Sequence, residues 1–238
     1  MLLVNTRRIE LLSCVAPRGV AAEIGTAEAY FAEYMLKGLK PKKLHLIDPW
    51  RFQDIPDYVQ DANNTSDEEG DRRYKAVLEK FEEPIRAGIV QVHRALSTEI
   101  ADSFPDEYFD FIHIDGNHTY SACLADLHAF DRKVKRTGFV TGHDYQTIPI
   151  ARRDNHNGVI PAVNNFIIEK GYTFLALTFE EAPTYVIVKD PNTQEAMDFV
   201  AAATKNFPVM AQIVNAEHKV FDQIEVPFSP QRYIFSFD

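Results

Sequence analysis

The chain has 238 residues, 45% of them hydrophobic, which is enough for one large core. Its formal net charge of -10 argues against a general nucleic-acid binder, because such proteins need a basic surface to release counterions from phosphates. A small neutral or cationic acceptor fits an acidic surface better. No apolar run approaches the ~20 residues of a membrane span, and Cys14 and Cys123 lack the spacing of a metal site. We expect a soluble cytoplasmic protein that binds neither membranes nor nucleic acid.

The first part of the chain alternates predicted helices and strands. Asn5 to Val15 is predicted as a helix that covers the domain, and Val20 to Gly25 as a short strand. The next helix is predicted from Ala27 to Leu36, with Gly38 ending it. Lys43 to Asp48 is the second predicted strand. A glycine turn followed by a strand that ends in an acid is typical of doubly wound folds.

A polar segment, residues 52–73, interrupts this alternation. Seven acids lie from Asp54 to Asp71 among Asn, Ser, Thr and Gly, and no hydrophobic period is visible. The composition fits a solvated loop, and it also fits a mobile lid over a site.

Strands and helices then alternate again. Tyr74 to Arg86 is predicted as a helix and Gly88 to His93 as a strand. Phe109 to Ile114 has the apolar composition of a strand buried on both faces. A helix begins at Tyr120, after the polar residues 115–118. Polar residues at such a strand end predict chemistry there.

The last predicted elements are a strand at Gly138 to Gly142, a helix that Gly171 ends, and an antiparallel hairpin of Tyr172 to Thr178 with Thr184 to Lys189. Together the elements predict an α/β fold. Its doubly wound, Rossmann-like sheet has seven strands, mostly parallel with the antiparallel C-terminal hairpin, and helices on both faces.

The pattern divides the chain into three parts. Residues 1–19 form an N-terminal covering helix, residues 20–190 the main domain with the acidic segment 52–73, and residues 191–238 a C-terminal extension. The extension begins with a predicted helix and ends in an apolar tail. We expect the tail to pack on the domain or on a second subunit of a homo-oligomer.

Four motifs at predicted strand ends carry the chemistry: Glu23-Ile24-Gly25-Thr26, Ile47-Asp48-Pro49-Trp50, Ile114-Asp115-Gly116-Asn117-His118-Thr119-Tyr120 and Gly142-His143-Asp144-Tyr145. In this order they resemble the class I S-adenosylmethionine-dependent methyltransferases, most closely the small-molecule and sugar O-methyltransferase branch of methyltransferase family 24. The resemblance covers about residues 20–189 and implies an S-adenosylmethionine-binding domain there.

The resemblance also implies which residues bind the cofactor. They are Glu23, Gly25, Thr26 and Ala27 at the methionine end, Asp48 at the ribose hydroxyls, Ala95, Leu96 and Ser97 beside the adenine, Trp50 as a wall, and Asp115 near the amino group. Relatives carry further glycines where this chain has Ala27 and Ala29. Because alanine does not adopt a positive φ cheaply, we expect Gly25 alone to do so.

Transfer of a methyl group to a hydroxyl needs a base, and His118 and His143 are the candidates, since imidazole accepts a proton near neutral pH. His118 could instead bond its own loop. In metal-dependent relatives, the residues equivalent to Asp115, His143 and Asp144 bind a divalent cation; here they would suit Mg or Mn. Asp144 could alternatively orient His143 or cap the following loop. The loop charges Arg152, Arg153 and His156 either contact the acceptor or are solvated.

Other functions use some of the same motifs. A nicotinamide-dependent oxidoreductase has a glycine turn and a strand-end acid, but its fingerprint needs glycines where Ala27 and Tyr30 stand. A metal-dependent hydrolase leaves Glu23 and Asp48 without a role. A non-catalytic cofactor-binding subunit would keep the fold without turnover. The sequence therefore predicts an S-adenosylmethionine-dependent O-methyltransferase that acts on a small molecule or sugar.

Overall fold

Nine strands in the described part of the chain form one mixed sheet. The computed structural model describes residues 1–16, 19–59, 61–147, 157–226 and 232–238. The strands of this sheet are β1 (Leu2–Val4), β2 (Val20–Ile24), β3 (Lys43–Asp48), β4 (Val90–Arg94), β5 (Phe109–Ile114), β6 (Val134–Gly142), β7 (Thr173–Thr178), β8 (Tyr185–Val188) and β9 (Val209–Gln212). Two further strands, β10 (Phe221–Val226) and β11 (Arg232–Phe237), pair with each other in antiparallel orientation.

Helices cover both faces of the sheet. They are α1 (Arg8–Leu11), α2 (Tyr30–Leu39), α3 (Asp67–Lys80), α4 (Glu82–Arg86), α5 (Ser97–Ile100), α6 (Tyr120–Asp131), α7 (Val159–Lys170) and α8 (Gln194–Asn206). Met35 of α2 and Phe199 of α8 belong to the core on one face. Phe130 of α6 and Phe166 of α7 belong to the core on the other. Because both faces are covered, the central strands are mostly apolar, as the sequence of β5 predicted, with Glu23, His45 and His113 as buried exceptions.

The strand order places a crevice at the centre of the sheet. The order is β4-β3-β2-β5-β6-β8-β7-β1-β9, and the first five strands are parallel. The winding therefore reverses between β2 and β5, and in such folds ligands bind at this point, outside the carboxyl ends of the strands. The hairpin of β7 and β8 is antiparallel. The predicted fold class is confirmed.

The sheet has nine strands rather than the predicted seven. The two additional strands lie in the terminal segments, where β1 pairs parallel with β7 and β9 pairs antiparallel with β1. Each is only three or four residues long, too short for a visible alternation of polar and apolar residues. The helix predicted from Asn5 to Val15 is likewise shorter, since α1 has four residues and a 3₁₀ turn follows it.

Several predicted helix boundaries are wrong, including the start of α2, which lies at Tyr30 rather than Ala27, and the helix predicted over Tyr74 to Arg86, which is divided between α3 and α4. Gly38 lies inside α2, which ends at Leu39, and Lys40 takes the left-handed conformation that closes it. The segment predicted as a loop over 52–73 ends at Ser66, whose hydroxyl caps α3 by accepting a hydrogen bond from the Glu69 amide. The acids that follow Ser66 suit the first turn of a helix, where they interact favourably with the helix dipole.

The apolar tail packs on the main domain. Phe221 of β10 is buried, and its ring lies 5.4 Å from Tyr145 and 5.2 Å from Phe235, measured between ring centroids. Phe235 in turn lies 4.5 Å from Phe179. Whether the tail also contacts a second subunit remains a prediction. None of the described helices is long and apolar enough to span a membrane.

Two glycines provide a test of how α3 packs. Gly70 of α3 lies so close to the chain at Trp50 that an added Cβ would stand 2.2 Å from the Trp50 carbonyl oxygen. We expect Gly70→Ala to lower the free energy of unfolding by more than ~1 kcal/mol, although alanine is the better helix former. The matched control is Gly38→Ala, whose Cβ would meet Leu12 at 3.4 Å, and it should stabilise by ~0.5 kcal/mol. Urea unfolding measures both; a stabilised Gly70→Ala variant would contradict this packing.

Candidate active site

The turn after β2 brings backbone groups to the crevice. Gly25 has φ of +82°, and a Cβ on it would lie 2.3 Å from the Asp115 carbonyl oxygen at the end of β5. Only glycine allows the two strand ends to approach this closely. Ala27 and Ala29 also have positive φ, 46° and 58°. The expectation that Gly25 alone would do so is therefore wrong, and the two alanines store strain of about 1–2 kcal/mol each.

Asp48 fixes this turn from the neighbouring strand. One carboxylate oxygen accepts a hydrogen bond from the Ala27 amide at 2.9 Å, and the other accepts one from the Trp50 amide at 2.7 Å. The Trp50 indole donates to the Ala27 carbonyl, which closes the arrangement. Burial raises the pKa of Asp48, and these backbone hydrogen bonds oppose the increase. These bonds hold the strained Ala27, while the Ala29 amide donates to the Thr26 carbonyl at 2.7 Å.

A cavity of about 240 Å³, here called cavity A, opens over the turn. Seven of the residues predicted to bind the cofactor line it: Gly25, Ala27, Asp48, Trp50, Leu96, Ser97 and Asp115. Glu23 and Thr26 are buried beside it and do not line it. Ala95, the remaining predicted residue, precedes Leu96 and does not line the cavity. Seven of the ten predicted cofactor residues are thus brought together at one place.

The Glu23 carboxyl is a buried group with an unsatisfied oxygen. Its Oε2 has no hydrogen-bond partner among the described residues. Burial raises its pKa well above the usual range, and the nearby charge of Asp115 adds to this, while Arg8 opposes it. An unpaired buried carboxyl costs free energy, so this position suits a ligand that brings a donor or a positive charge.

Asp126 lines cavity A and was missed by the sequence analysis. It lies on α6, is buried, and its carboxylate accepts a hydrogen bond from the Ser97 hydroxyl. Burial raises the pKa of Asp126 to about 6, and the Ser97 hydrogen bond opposes this. The signal was an acid at helical spacing between the apolar Cys123 and Phe130. An acid on the buried face of a helix needs a partner.

The segment between β3 and α3 forms the outer wall. Asn64 holds its shape, because the side chain accepts a hydrogen bond from the Gln53 amide and donates to the carbonyl oxygens of Gln53 and Tyr58. Its residues that line cavity A include Gln53, Ile55, Tyr58, Asn63 and Thr65. The acidic segment therefore covers the crevice; its opening as a lid remains a prediction.

A second cavity, cavity B, of about 620 Å³ adjoins cavity A. The two share Tyr58, Asn63, Asp115 and Asn117 as lining residues. Cavity B also contains the three predicted catalytic residues, His118, His143 and Asp144. The structure thus places the predicted catalytic group next to the predicted cofactor group, with Asp115 between them.

Asp115 is the centre of a charged cluster. Its carboxylate accepts a hydrogen bond from Arg8 Nη1 at 2.7 Å and lies 3.3 Å from His118 Nε2 and 3.9 Å from His143 Nδ1. Burial raises the pKa of Asp115, but the imidazole of His143 and its other basic neighbours outweigh this and hold the pKa well below the usual range. Asp115 is therefore a carboxylate that acts as an anion in the site.

His118 bridges two carboxylates. Its Nε2 lies 3.3 Å from Asp115 Oδ1 and 3.1 Å from Asp144 Oδ2. Burial lowers the pKa of His118, but both acids favour its charged form and raise the pKa to about 9. At neutral pH the imidazole already carries a proton, so in this arrangement it cannot accept another. His118 is therefore the less suitable of the two predicted bases.

The residues of this cluster also bear on the predicted metal. Among the described residues, Asp115, His118 and Asp144 have ligand atoms that all lie within 4.8 Å of one another. This group includes His118, whereas the prediction named His143, whose Nδ1 lies 3.5 Å from Asp144 Oδ2 and 3.9 Å from Asp115 Oδ1. Two carboxylates and an imidazole suit a hard divalent cation. Binding of such a cation would displace the proton from His118 and compete with Arg8 for Asp115.

The loop residues Arg152, Arg153 and His156, which the sequence analysis considered for the acceptor, lie outside the described residues.

Comparison with known proteins identifies the domain. The profile of a family described as a methyltransferase domain matches residues 22–145, more than half of the chain. No curated protein sequence matches the chain.

Solved structures that share its fold include the following three. M. capricolum TrmK in complex with S-adenosylhomocysteine is 13% identical, with a TM-score of 0.53 over 79% of this chain and 70% of its own. The B. subtilis tRNA methyltransferase TrmK is 14% identical, with a TM-score of 0.50 over 79% and 68%. A Streptococcus mutans protein in complex with S-adenosylhomocysteine is 14% identical, with a TM-score of 0.52 over 75% and 93%.

The raised pKa of Asp126 predicts a pH dependence of stability. In the folded protein the carboxyl stays protonated up to about pH 6, whereas its unfolded value is 3.8. Its contribution is therefore present at low pH and lost as the pH rises through about 6. We expect Asp126→Asn, which stays neutral, to gain on the order of 2 kcal/mol relative to the unmodified protein between pH 4.5 and pH 7. Urea unfolding at both pH values measures this difference. Equal differences at the two pH values would contradict the burial of a titrating Asp126.

Proposed function

Because the chain belongs to the class I S-adenosylmethionine-dependent methyltransferases of family 24, we propose that it methylates a hydroxyl of a small polar molecule such as a sugar. One observation carries the proposal. The Gly25 turn, Asp48 and Asp115 line cavity A, and Asp115 also lines the larger cavity B. A cofactor in the first cavity and an acceptor in the second would meet at Asp115, as in-line transfer requires.

The residues of cavity A fit S-adenosylmethionine. Asp48 suits the ribose hydroxyls, because each of its oxygens keeps a lone pair beyond its bond to the backbone. The unsatisfied Glu23 oxygen and the Asp115 carboxylate suit the ammonium group. Ser97 and Asp126 suit the adenine, whose exocyclic amine is a donor. When bound, S-adenosylmethionine supplies a methyl group whose transfer breaks a C–S bond and leaves the electron pair on sulfur.

The lining of cavity B supports a polar acceptor. Six of its described residues are acids: Asp57, Asp61, Asp115, Asp144, Glu180 and Glu181. Four more carry amides: Asn63, Asn117, Gln146 and Asn157. These groups accept and donate hydrogen bonds to a hydroxylated molecule, whereas a flat apolar ring finds little apolar surface. They also repel phosphates, which disfavours tRNA as the acceptor.

His143 is the proposed base. Its Nδ1 lies 3.5 Å from Asp144 Oδ2, so the acid orients the ring. Nε2 is then the nitrogen that takes the proton from the acceptor hydroxyl as the oxygen attacks the methyl carbon. His118 lies between Asp115 and Asp144 as a charged bridge. A divalent cation bound by Asp115, His118 and Asp144 would instead lower the pKa of the acceptor hydroxyl.

Removal of the ribose-binding acid tests the cofactor. Isothermal titration calorimetry should detect binding of S-adenosylhomocysteine, and Asp48→Ala should weaken it at least ~10-fold, because charge-assisted hydrogen bonds to the ribose are lost. Asp54→Asn is the control, since Asp54 is exposed and lies outside both cavities. A protein that binds no S-adenosylhomocysteine, or an Asp48→Ala variant with undiminished affinity, would overturn the proposed cofactor site.

Transfer of radiolabelled methyl groups tests the acceptor and the base. We expect label in a panel of sugar glycosides, and none in catechol or bulk tRNA. On the best acceptor, His143→Gln should lose at least ~100-fold in turnover with unchanged affinity for S-adenosylhomocysteine, as loss of a general base requires. The control is His128→Gln on α6, where His128 pairs with Glu169 and lines neither cavity. Label in tRNA or catechol alone, or full turnover by His143→Gln, would contradict the proposal.

A further inference from the structure

Arg8 is a cation at the centre of the site, and it lies outside the region that the family profile matches. Three contacts fix it. Its backbone amide donates to Glu180 Oε1 at 3.0 Å, its guanidinium carbon lies 4.9 Å from the centre of the Phe31 ring, and its Nη1 donates to Asp115 Oδ2 at 2.7 Å. The side chain is only 25% exposed. An arginine held by two elements and the end of β5 is pre-organised for a ligand.

The charges around Arg8 are mostly acidic. Among the described residues that line cavity B, Arg8 is the only lysine or arginine. Its charge opposes the rise that burial causes in the pKa of Glu23, so the guanidinium lies near that carboxyl. Glu23, Asp115 and Arg8 therefore form a group of two acids and one base at the crevice. This group is complementary to a molecule that carries an ammonium and a carboxylate close together.

The methionine end of S-adenosylmethionine is such a molecule, since its ammonium and carboxylate are bonded to one carbon. Receptors for the two groups must then be immediate neighbours, and Asp115 Oδ2 and Arg8 Nη1 are 2.7 Å apart. Only one of the guanidinium's N–H groups is needed for Asp115, and the planar fork can bind a second carboxylate.

We propose that Arg8 binds the carboxylate of the cofactor's methionine end, while Asp115 and Glu23 receive its ammonium. The inference rests on the proposed function, because it assumes the cofactor in cavity A. It makes the N-terminal segment part of the cofactor site, although the family profile begins at residue 22. Arg8 is then a residue that positions the cofactor.

The test compares two ligands by calorimetry. One is S-adenosylhomocysteine, and the other is its decarboxylated analogue, which keeps the ammonium and lacks the carboxylate. The unmodified protein should bind S-adenosylhomocysteine ~10- to 100-fold more tightly than the analogue. In Arg8→Gln this ratio should fall to about 1–3, and Arg8→Lys should restore it in part. The matched control is Arg7→Gln, because Arg7 is the preceding residue, is exposed and pairs with Glu10; it should keep the full ratio.

The outcomes separate the two proposals. A ratio that persists in Arg8→Gln overturns the inference, even if both affinities fall, because a merely structural role weakens both ligands alike. A ratio near one in the unmodified protein overturns it as well. Failure of the unmodified protein to bind S-adenosylhomocysteine at all instead overturns the proposed function, and with it this inference.

Discussion

The site depends on contact between two backbone turns. The Asp115 amide donates to the Ile24 carbonyl at 2.8 Å, and Gly25 lies against the Asp115 carbonyl. This contact exists because β2 and β5 are neighbours, which follows from the reversal of strand order between them. A side chain at Gly25 would force the strand ends apart. Cavity A and the charged cluster would then lose their common wall.

Charge balance is the second constraint on the site. The half-buried Asp115 and the buried Asp144 would repel each other, and the His118 proton and Arg8 offset that repulsion. These attractions explain why the pKa of Asp115 stays well below its usual range despite burial. The same compensation changes the role of His118. A histidine whose Nε2 lies between two carboxylates serves as a fixed cation, whereas His143 contacts the same two acids through Nδ1 at the longer distances of 3.9 and 3.5 Å.

Local patterns predicted the parts of the molecule whose structure is decided locally. The buried strands and the strand-end motifs that line the cavities followed from composition and spacing, and the structure confirms the fold class. The positive φ of Ala27 did not follow, because the hydrogen bond to Asp48 that fixes it comes from another strand. Arg8 could not be distinguished from Arg7 by sequence, since its partner Asp115 is 107 residues away. Asp126 was visible as an acid among apolar residues, yet only its contact with Ser97 gives it a role.

The position of β1 has a consequence for how the molecule assembles. β1 lies between β7 and β9, so its neighbours come from Thr173–Thr178 and Val209–Gln212. On the ribosome, residues 22–145 emerge and can begin to pack while β1 still lacks both partners. Pairings over such sequence distances close large loops and form late. The segment that carries Arg8 is therefore fixed in place by parts of the chain that are synthesised after residues 22–145, so the charged cluster depends on pairings with those parts whereas the glycine turn does not.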